Sequence, residues 1–203
     1  MSLPTLPAGV IPPDYKEVLY WKVTQHSERV IALNLLAVPL ALIFGVGFTS
    51  FTFLFGRPLE IKISGSTAFI LSLCSISLVI LVHELAHGIA MQAYGARPQY
   101  GFLWEGLMFY ATAPGYAFRR NQYLVVALTP LVSISLLACL GILFWAGSLA
   151  VWVLVICAVI NGSGAIGDLW ISGITLRYPT HAYVIDERDG IRVFLPDKEY
   201  GAN

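Results

Sequence analysis

The sequence has few charged residues. Asp, Glu, Lys and Arg make up only 12% of its 203 residues, whereas a soluble domain carries about a quarter. The formal net charge is zero, so no basic surface favours nucleic acid as a partner. The three cysteines have no CxxC spacing, which gives no support to a disulfide framework or a cysteine metal site. These absences argue against a soluble, nucleic-acid-binding or disulfide-rich protein.

Long apolar runs account for most of the chain, of which 57% is hydrophobic. A helix that crosses a membrane needs about 20 mostly apolar residues. We therefore predict an all-α integral membrane protein with four transmembrane helices, forming a single membrane domain over residues 1–203. The predicted spans are residues 30–55, 67–90, 123–146 and 149–176.

The basic residues predict the orientation of these spans. Ten of the twelve lie in the N-terminus (residues 1–29), the second loop or the C-terminal tail (residues 177–203), and only Arg57 and Lys62 lie on the other side. Because basic residues accumulate in cytoplasmic segments, we expect a multi-pass protein of the cell membrane with both termini in the cytoplasm.

Two short segments outside the spans favour β-structure. The tail "AYVIDERDGIRVFLP" alternates polar and apolar residues around Asp189-Gly190, which predicts a small cytoplasmic hairpin with a type I′ turn. In the second loop, the aromatic-rich segment from Met108 to Phe118 breaks at Pro114-Gly115. It is a candidate for a second hairpin, with an interfacial aromatic loop as the alternative.

The second predicted span carries His83-Glu84-Leu85-Ala86-His87. An ionisable residue near the bilayer centre costs about 2.5–3.5 kcal/mol, so such a group indicates a functional site. The i, i+4 spacing puts both imidazoles on one helical face, where they can bind one metal ion. Glu84 is rotated away and can act as a general base on a metal-bound water. We predict His83 and His87 as Zn²⁺ ligands and Glu84 as the catalytic residue; the alternative is two histidines satisfied by neighbouring helices.

A catalytic zinc site needs a third protein ligand. Asp168 lies 19 residues into the fourth span and His83 lies 16 residues into the second. Both spans run from the outside inwards, so these groups should reach similar depths of about 28 and 24 Å. We therefore favour Asp168. Glu105 and His181 remain alternatives, although a segment with two glycines and a proline surrounds Glu105, and His181 follows the end of the span.

The glycine-rich segment "NGSGAIG" precedes Asp168 and is expected to loosen the fourth span. Small residues let helix backbones approach closely. Asn161, the first residue of this segment, is a weak candidate for binding the substrate backbone.

At these residues the sequence resembles the site-2 protease group of intramembrane zinc metalloproteases. That group carries HExxH on one core helix and an aspartate beside a glycine on a later one; "HELAHG" and "GDLW" stand in those places here. The order Gly167-Asp168 departs from the usual Asp-Gly. From "LPAGVIPPDYKEV" to the C-terminal hairpin, the chain is also similar to a smaller bacterial family of zincin-type membrane peptidases.

The resemblance implies a zinc metalloendopeptidase that cleaves a membrane protein or peptide near the cytoplasmic face of the bilayer. The alternative is a zinc-binding membrane protein without proteolytic activity, such as an inactive relative or a transporter. Glu84 argues against that alternative, because metal binding alone does not require this carboxylate.

Overall fold

The computed structural model describes residues 8–55, 63–104 and 108–200. Most of them are helical. The helices are α1 (Ser27–Phe55), α2 (Gly65–Ala93), α3 (Arg120–Phe144), α4 (Leu149–Gly164), α5 (Ile166–Thr175) and the short α6 (Asp197–Tyr200). The strands are β1 (Tyr15–Lys22), β2 (Gln99–Leu103), β3 (Met108–Thr112), β4 (Ala117–Arg119), β5 (Tyr183–Glu187) and β6 (Gly190–Pro196).

Helices α1, α2 and α3 are each long and apolar enough to cross a membrane, and α4 with α5 can form a fourth span. These helices overlap the four predicted apolar segments, because runs of about 20 apolar residues are a local property of the sequence. They are compatible with a membrane protein. Arg57 and Lys62, which bear on the predicted orientation, lie outside the described residues.

The fourth predicted span is broken. Helix α4 ends at Gly164, and α5 starts at Ile166 after a bend of 40°. Two of the last three residues of α4 are glycines, which are poor helix formers. As a result, Asp168 lies in the first turn of a new helix, where the helix dipole favours a negative charge.

The chain divides into two compact units. The sheet unit comprises Met1–Val30, His87–Leu128 and Asp168–Asn203. Its core combines residues of α2, α3 and the strands, and its least exposed large side chains are Met91, Phe118, Val126, Val184, Ile191 and Val193.

The helical unit comprises Ile31–Ala86 and Thr129–Gly167. Its core is formed by side chains of α1, α3 and α4, namely Phe48, Ala138, Ile142, Val151 and Ala158. Two glycines permit close helix contacts. A Cβ at Gly141 would lie 2.6 Å from the Leu154 side chain, and one at Gly162 would lie 2.3 Å from the Phe44 ring.

The predicted C-terminal hairpin is present as β5 and β6. Its turn is displaced from the expected position: Glu187 pairs with Gly190, so the two loop residues are Arg188 and Asp189. The turn assignment to Asp189-Gly190 was therefore wrong. Gly190 is instead a point of close backbone approach, since a Cβ there would lie 1.9 Å from the carbonyl oxygen of Trp21.

The hairpin belongs to a four-stranded antiparallel sheet with the order β1-β6-β5-β4. The all-α class is thus correct for the helices but incomplete. Strand β1 was not anticipated, because its partner β6 lies about 175 residues later in the sequence, with Tyr15 opposite Pro196.

The second loop does contain a hairpin, but between β2 and β3. The break at Pro114-Gly115 joins β3 to β4, which pairs with β5 in the other sheet. Gly115 has a φ of +74°, a left-handed conformation that favours glycine. The expected hairpin was therefore located in the right loop but assigned to the wrong strands.

We expect Gly190→Ala to destabilise the sheet unit, because the added methyl group would collide with the backbone of β1. Overpacking of this kind costs roughly 1–3 kcal/mol. Thermal unfolding of the detergent-solubilised protein measures the effect. Gly173→Ala is the control, since a Cβ there meets nothing within 4 Å. An equal melting temperature for both variants would contradict the close approach.

Candidate metal centre

Helix α2 carries both histidines of the HExxH motif on one face, four residues apart. His87 is buried, with 8% of its surface exposed, and His83 is partly buried. Asp168 is partly buried in the first turn of α5. The candidate metal centre is this set of three residues.

The three side chains converge. One ligand atom from each of His83, His87 and Asp168 lies within 4.8 Å of the other two. The Nε2 atom of His87 is 3.4 Å from Oδ1 of Asp168. Two ligands on a tetrahedral zinc ion with bonds of about 2.0–2.1 Å are about 3.3–3.4 Å apart. The observed separation therefore fits a shared zinc ion, and the two-nitrogen, one-oxygen donor set suits one as well.

A backbone carbonyl fixes the ring of His87. Its Nδ1 atom is 3.0 Å from the carbonyl oxygen of Val126 in α3. A carbonyl oxygen only accepts hydrogen bonds, so Nδ1 must carry the hydrogen. In an uninterrupted helix, the N–H of residue 130 would donate to this carbonyl. Residue 130 is a proline, which has no N–H, and this leaves the Val126 carbonyl available to His87.

An asparagine fixes the ring of His83 in the same way. The Nδ1 atom of His83 is 2.9 Å from Oδ1 of Asn161. The Nδ2 atom of Asn161 donates to the carbonyl oxygen of Pro130 at 3.3 Å. Because that carbonyl only accepts, it determines which way the amide points. Oδ1 of Asn161 then faces His83, whose Nδ1 must be the donor.

Both imidazoles are thus held in the tautomer that has the lone pair on Nε2. A hydrogen bond from the other ring nitrogen to a carbonyl or amide oxygen is the usual support of a metal-binding histidine. These hydrogen bonds fix the orientation of both rings and leave Nε2 of each histidine available as a metal ligand.

The other predicted site residues have different positions. Glu84 follows His83 on α2, is partly buried and is not one of the three converging residues. Asn161 is 2% exposed and contacts His83. Among the described residues, His181 is exposed and absent from the group. Glu105 lies outside the described residues.

A second carboxylate, missed in the sequence, lies near the centre. The hydroxyl of Tyr123 donates to Oδ1 of Asp186 at 2.8 Å, and the hydroxyl of Thr112 donates to the Asp186 carbonyl oxygen at 3.0 Å. Burial raises the pKa of Asp186 to about 7, helped by the charge of Asp168, although the hydroxyl groups of Tyr123 and Thr112 and the nearby His87 act to lower it. The strand pattern held a signal: Asp186 is two residues after the fully buried Val184, so both face the core.

Glycine next to the second histidine allows a close contact. A Cβ at Gly88 would lie 1.8 Å from the hydroxyl oxygen of Tyr100 on β2. The first strand of the β2–β3 hairpin therefore packs directly against the turn of α2 that follows His87.

Comparison with known proteins identifies one family. Residues 76–183, more than half of the chain, match a family described as "Putative zincin peptidase". The matched segment contains the HExxH motif, Asn161, Asp168 and the start of β5. Neither the curated proteins nor the solved structures contain a match.

We expect Pro130→Ala to weaken zinc binding. The new N–H at position 130 would compete for the Val126 carbonyl and deprive the Nδ1 atom of His87 of its acceptor. Loss of such a support typically lowers metal affinity by about 10- to 100-fold. Competition with a fluorescent zinc chelator measures the change.

Pro39→Ala is the matched control, because Pro39 also lies inside a long helix, α1. Alanine favours a helix interior over proline by about 3 kcal/mol, so a weaker affinity of the Pro130 variant could not be attributed to a less stable α3. Unchanged affinity would contradict the role of the freed carbonyl.

We also expect Asp186 to make the stability of the zinc-free protein depend on pH. Its folded pKa of about 7 is above the ordinary 3.8. The protonated form is therefore favoured in the folded state, and its contribution is complete below about pH 4 and lost as the pH rises through 7.

The melting temperature of the wild type should accordingly fall more than that of Asp186→Asn between pH 5 and pH 8. Titrations of groups that do not interact with Asp186 are common to both proteins and cancel in the difference. Parallel pH profiles of the melting temperature would show that the folded state does not favour the protonated form of Asp186.

Proposed function

Because the chain belongs to this zincin peptidase family, we propose that it is a membrane-embedded zinc metalloprotease. It would hydrolyse a peptide bond of a membrane protein or peptide near the cytoplasmic face of the bilayer. The observation that carries the proposal is the convergence of His83, His87 and Asp168, with the Nδ1 atom of each histidine held by a hydrogen-bond acceptor.

In this proposal, Nε2 of His83, Nε2 of His87 and a carboxylate oxygen of Asp168 would hold Zn²⁺. Zinc bound by three protein ligands lowers the pKa of a water molecule to about 7 and polarises a carbonyl group. Because Asp168 would be the only charged ligand, the loaded centre would keep a net positive charge, which would stabilise negative charge that develops in the transition state.

Glu84 is the proposed general base. It is adjacent to His83 on the same helix but about 100° further around it, so its carboxylate can approach the reacting water without occupying a ligand position. It would take a proton from the attacking water and transfer it to the leaving amine. A role limited to metal binding would not require this side chain.

The helices support the proposed membrane placement. Three of them, or four with the bent pair, are long and apolar enough to span a bilayer. Ten basic residues in the termini and second loop favour the cytoplasmic side for these segments. The HExxH motif and Asp168 then lie towards the cytoplasmic ends of their spans. The lipid bilayer and a membrane-bound substrate are the partners that this placement implies.

We expect Glu84→Gln to retain zinc and to lose proteolysis. The variant removes the proton acceptor, a contribution of about 10²- to 10⁴-fold, but leaves the three ligands unchanged. His83→Ala is the contrasting variant, which should lose zinc together with activity. Zinc content is measured by elemental analysis of the purified proteins.

Proteolysis can be followed without a known substrate, by quantitative mass spectrometry of protein N-termini in cells expressing each form. New N-termini in membrane proteins should accompany the wild type alone. The same N-termini in cells expressing zinc-loaded Glu84→Gln would contradict the protease and favour a zinc-binding protein without proteolytic activity.

A further inference from the structure

The sheet unit contains a cavity of about 400 Å³ between β1 and α5. Strand β1 contributes Leu19 and Trp21, and α5 with its following turn contributes the rest of the wall, including Leu169, Trp170 and Arg177. Most of the wall is apolar, and none of the described residues that line it is acidic.

This cavity is distinct from the candidate metal centre. Successive residues of a helix are rotated by about 100°, so Asp168, Ser172 and Thr175 share one face of α5. Ser172 and Thr175 are almost completely buried. Leu169 and Gly173 fall on the opposite face, where Trp170 is 45% exposed, and Arg177 follows in the turn after the helix. The helix thus presents Asp168 on one side and the cavity on the other.

Three arginines contact the wall of the cavity. Arg177 lines it directly, is exposed and has no carboxylate partner among the described residues. The guanidinium of Arg29 lies 5.7 Å from the centre of the Trp21 ring. Arg120 donates to the carbonyl oxygen of Tyr178 at 2.8 Å. With no acidic residue in the wall, the local charge favours an anionic ligand.

The aromatic residues of the wall indicate that the anionic ligand is bound at the level of the membrane headgroups. Trp21, Trp170 and Tyr178 each combine an apolar ring with a polar edge, a combination that is enriched at the headgroup level of membranes. The wall includes Trp21, which lies shortly before α1 begins at Ser27, and residues of α5, which ends at Thr175. Under the membrane placement proposed above, both helix ends are at the cytoplasmic surface, where anionic lipids attract basic residues.

We propose that the cavity binds one anionic phospholipid. The phosphate is held by Arg177, and the glycerol and the first part of the acyl chains pack against Leu169 and Trp170. A soluble anion would satisfy the arginine but would leave the apolar wall uncovered. The proposal depends on membrane placement and not on proteolytic activity.

Native mass spectrometry of the detergent-purified protein tests this site, with phosphatidylglycerol and phosphatidylcholine as probes. We expect the wild type to retain phosphatidylglycerol in preference to phosphatidylcholine. Arg177→Gln should bind phosphatidylglycerol about fivefold more weakly, the loss typical of one basic residue at an anionic surface. Arg97→Gln is the control, because it removes an exposed basic charge that does not line the cavity.

A second variant blocks the cavity sterically. A Cβ at Gly173 meets nothing within 4 Å, and Gly173 lines the cavity, so the side chain of Gly173→Leu would extend into the space that the lipid needs. Phosphatidylglycerol binding should be lost, and zinc content should stay at the wild-type value. Zinc retention separates a failure of this proposal from a failure of the proposed metal centre.

The lipid site would be ruled out if both variants bound phosphatidylglycerol as tightly as the wild type, or if phosphatidylcholine bound equally well. Competition by glycerol phosphate at concentrations similar to the lipid would also overturn it, because the site would then recognise a free anion. No competition by glycerol phosphate supports the lipid.

Discussion

The hydrogen bonds that hold the Nδ1 atoms of His83 and His87 are the constraint on which the candidate metal centre depends. A polar group placed among apolar helices is costly unless it is paired. Here both pairings involve Pro130: its missing N–H leaves the Val126 carbonyl to His87, and its own carbonyl oxygen orients the amide of Asn161 towards His83. One proline therefore determines which ring nitrogen of each histidine can bind a metal.

Backbone interruptions position the third residue of the centre as well. The glycines at the end of α4 end that helix, and the 40° bend starts α5 two residues before Asp168. In the sheet unit, the missing side chain of Gly88 lets the Tyr100 hydroxyl pack against α2. The missing side chain of Gly190 lets the backbone of β1 approach β6. Glycine and proline residues thus lie where the fold needs a helix start, a carbonyl group that is free of the helix ladder, or a close contact.

The sequence was sufficient for features that depend on local spacing. Long apolar runs located the helices, and the i, i+4 histidines with Asp168 gave the three side chains that converge. It was insufficient for features that depend on distant partners, such as the pairing of β1 with β6 and the use of the Val126 carbonyl. Asp186 is an intermediate case. Its spacing of two residues from the buried Val184 in β5 could be read from the sequence, whereas its hydrogen bond to Tyr123 could not.

The central claim is that two imidazoles and one carboxylate bind a single zinc ion. The zinc-edge X-ray absorption spectrum of the purified protein tests it most directly. We predict two imidazole nitrogens and additional oxygen ligands at about 2.0 Å, with no sulfur. A spectrum with sulfur ligands, or one without imidazole scattering, would contradict the account.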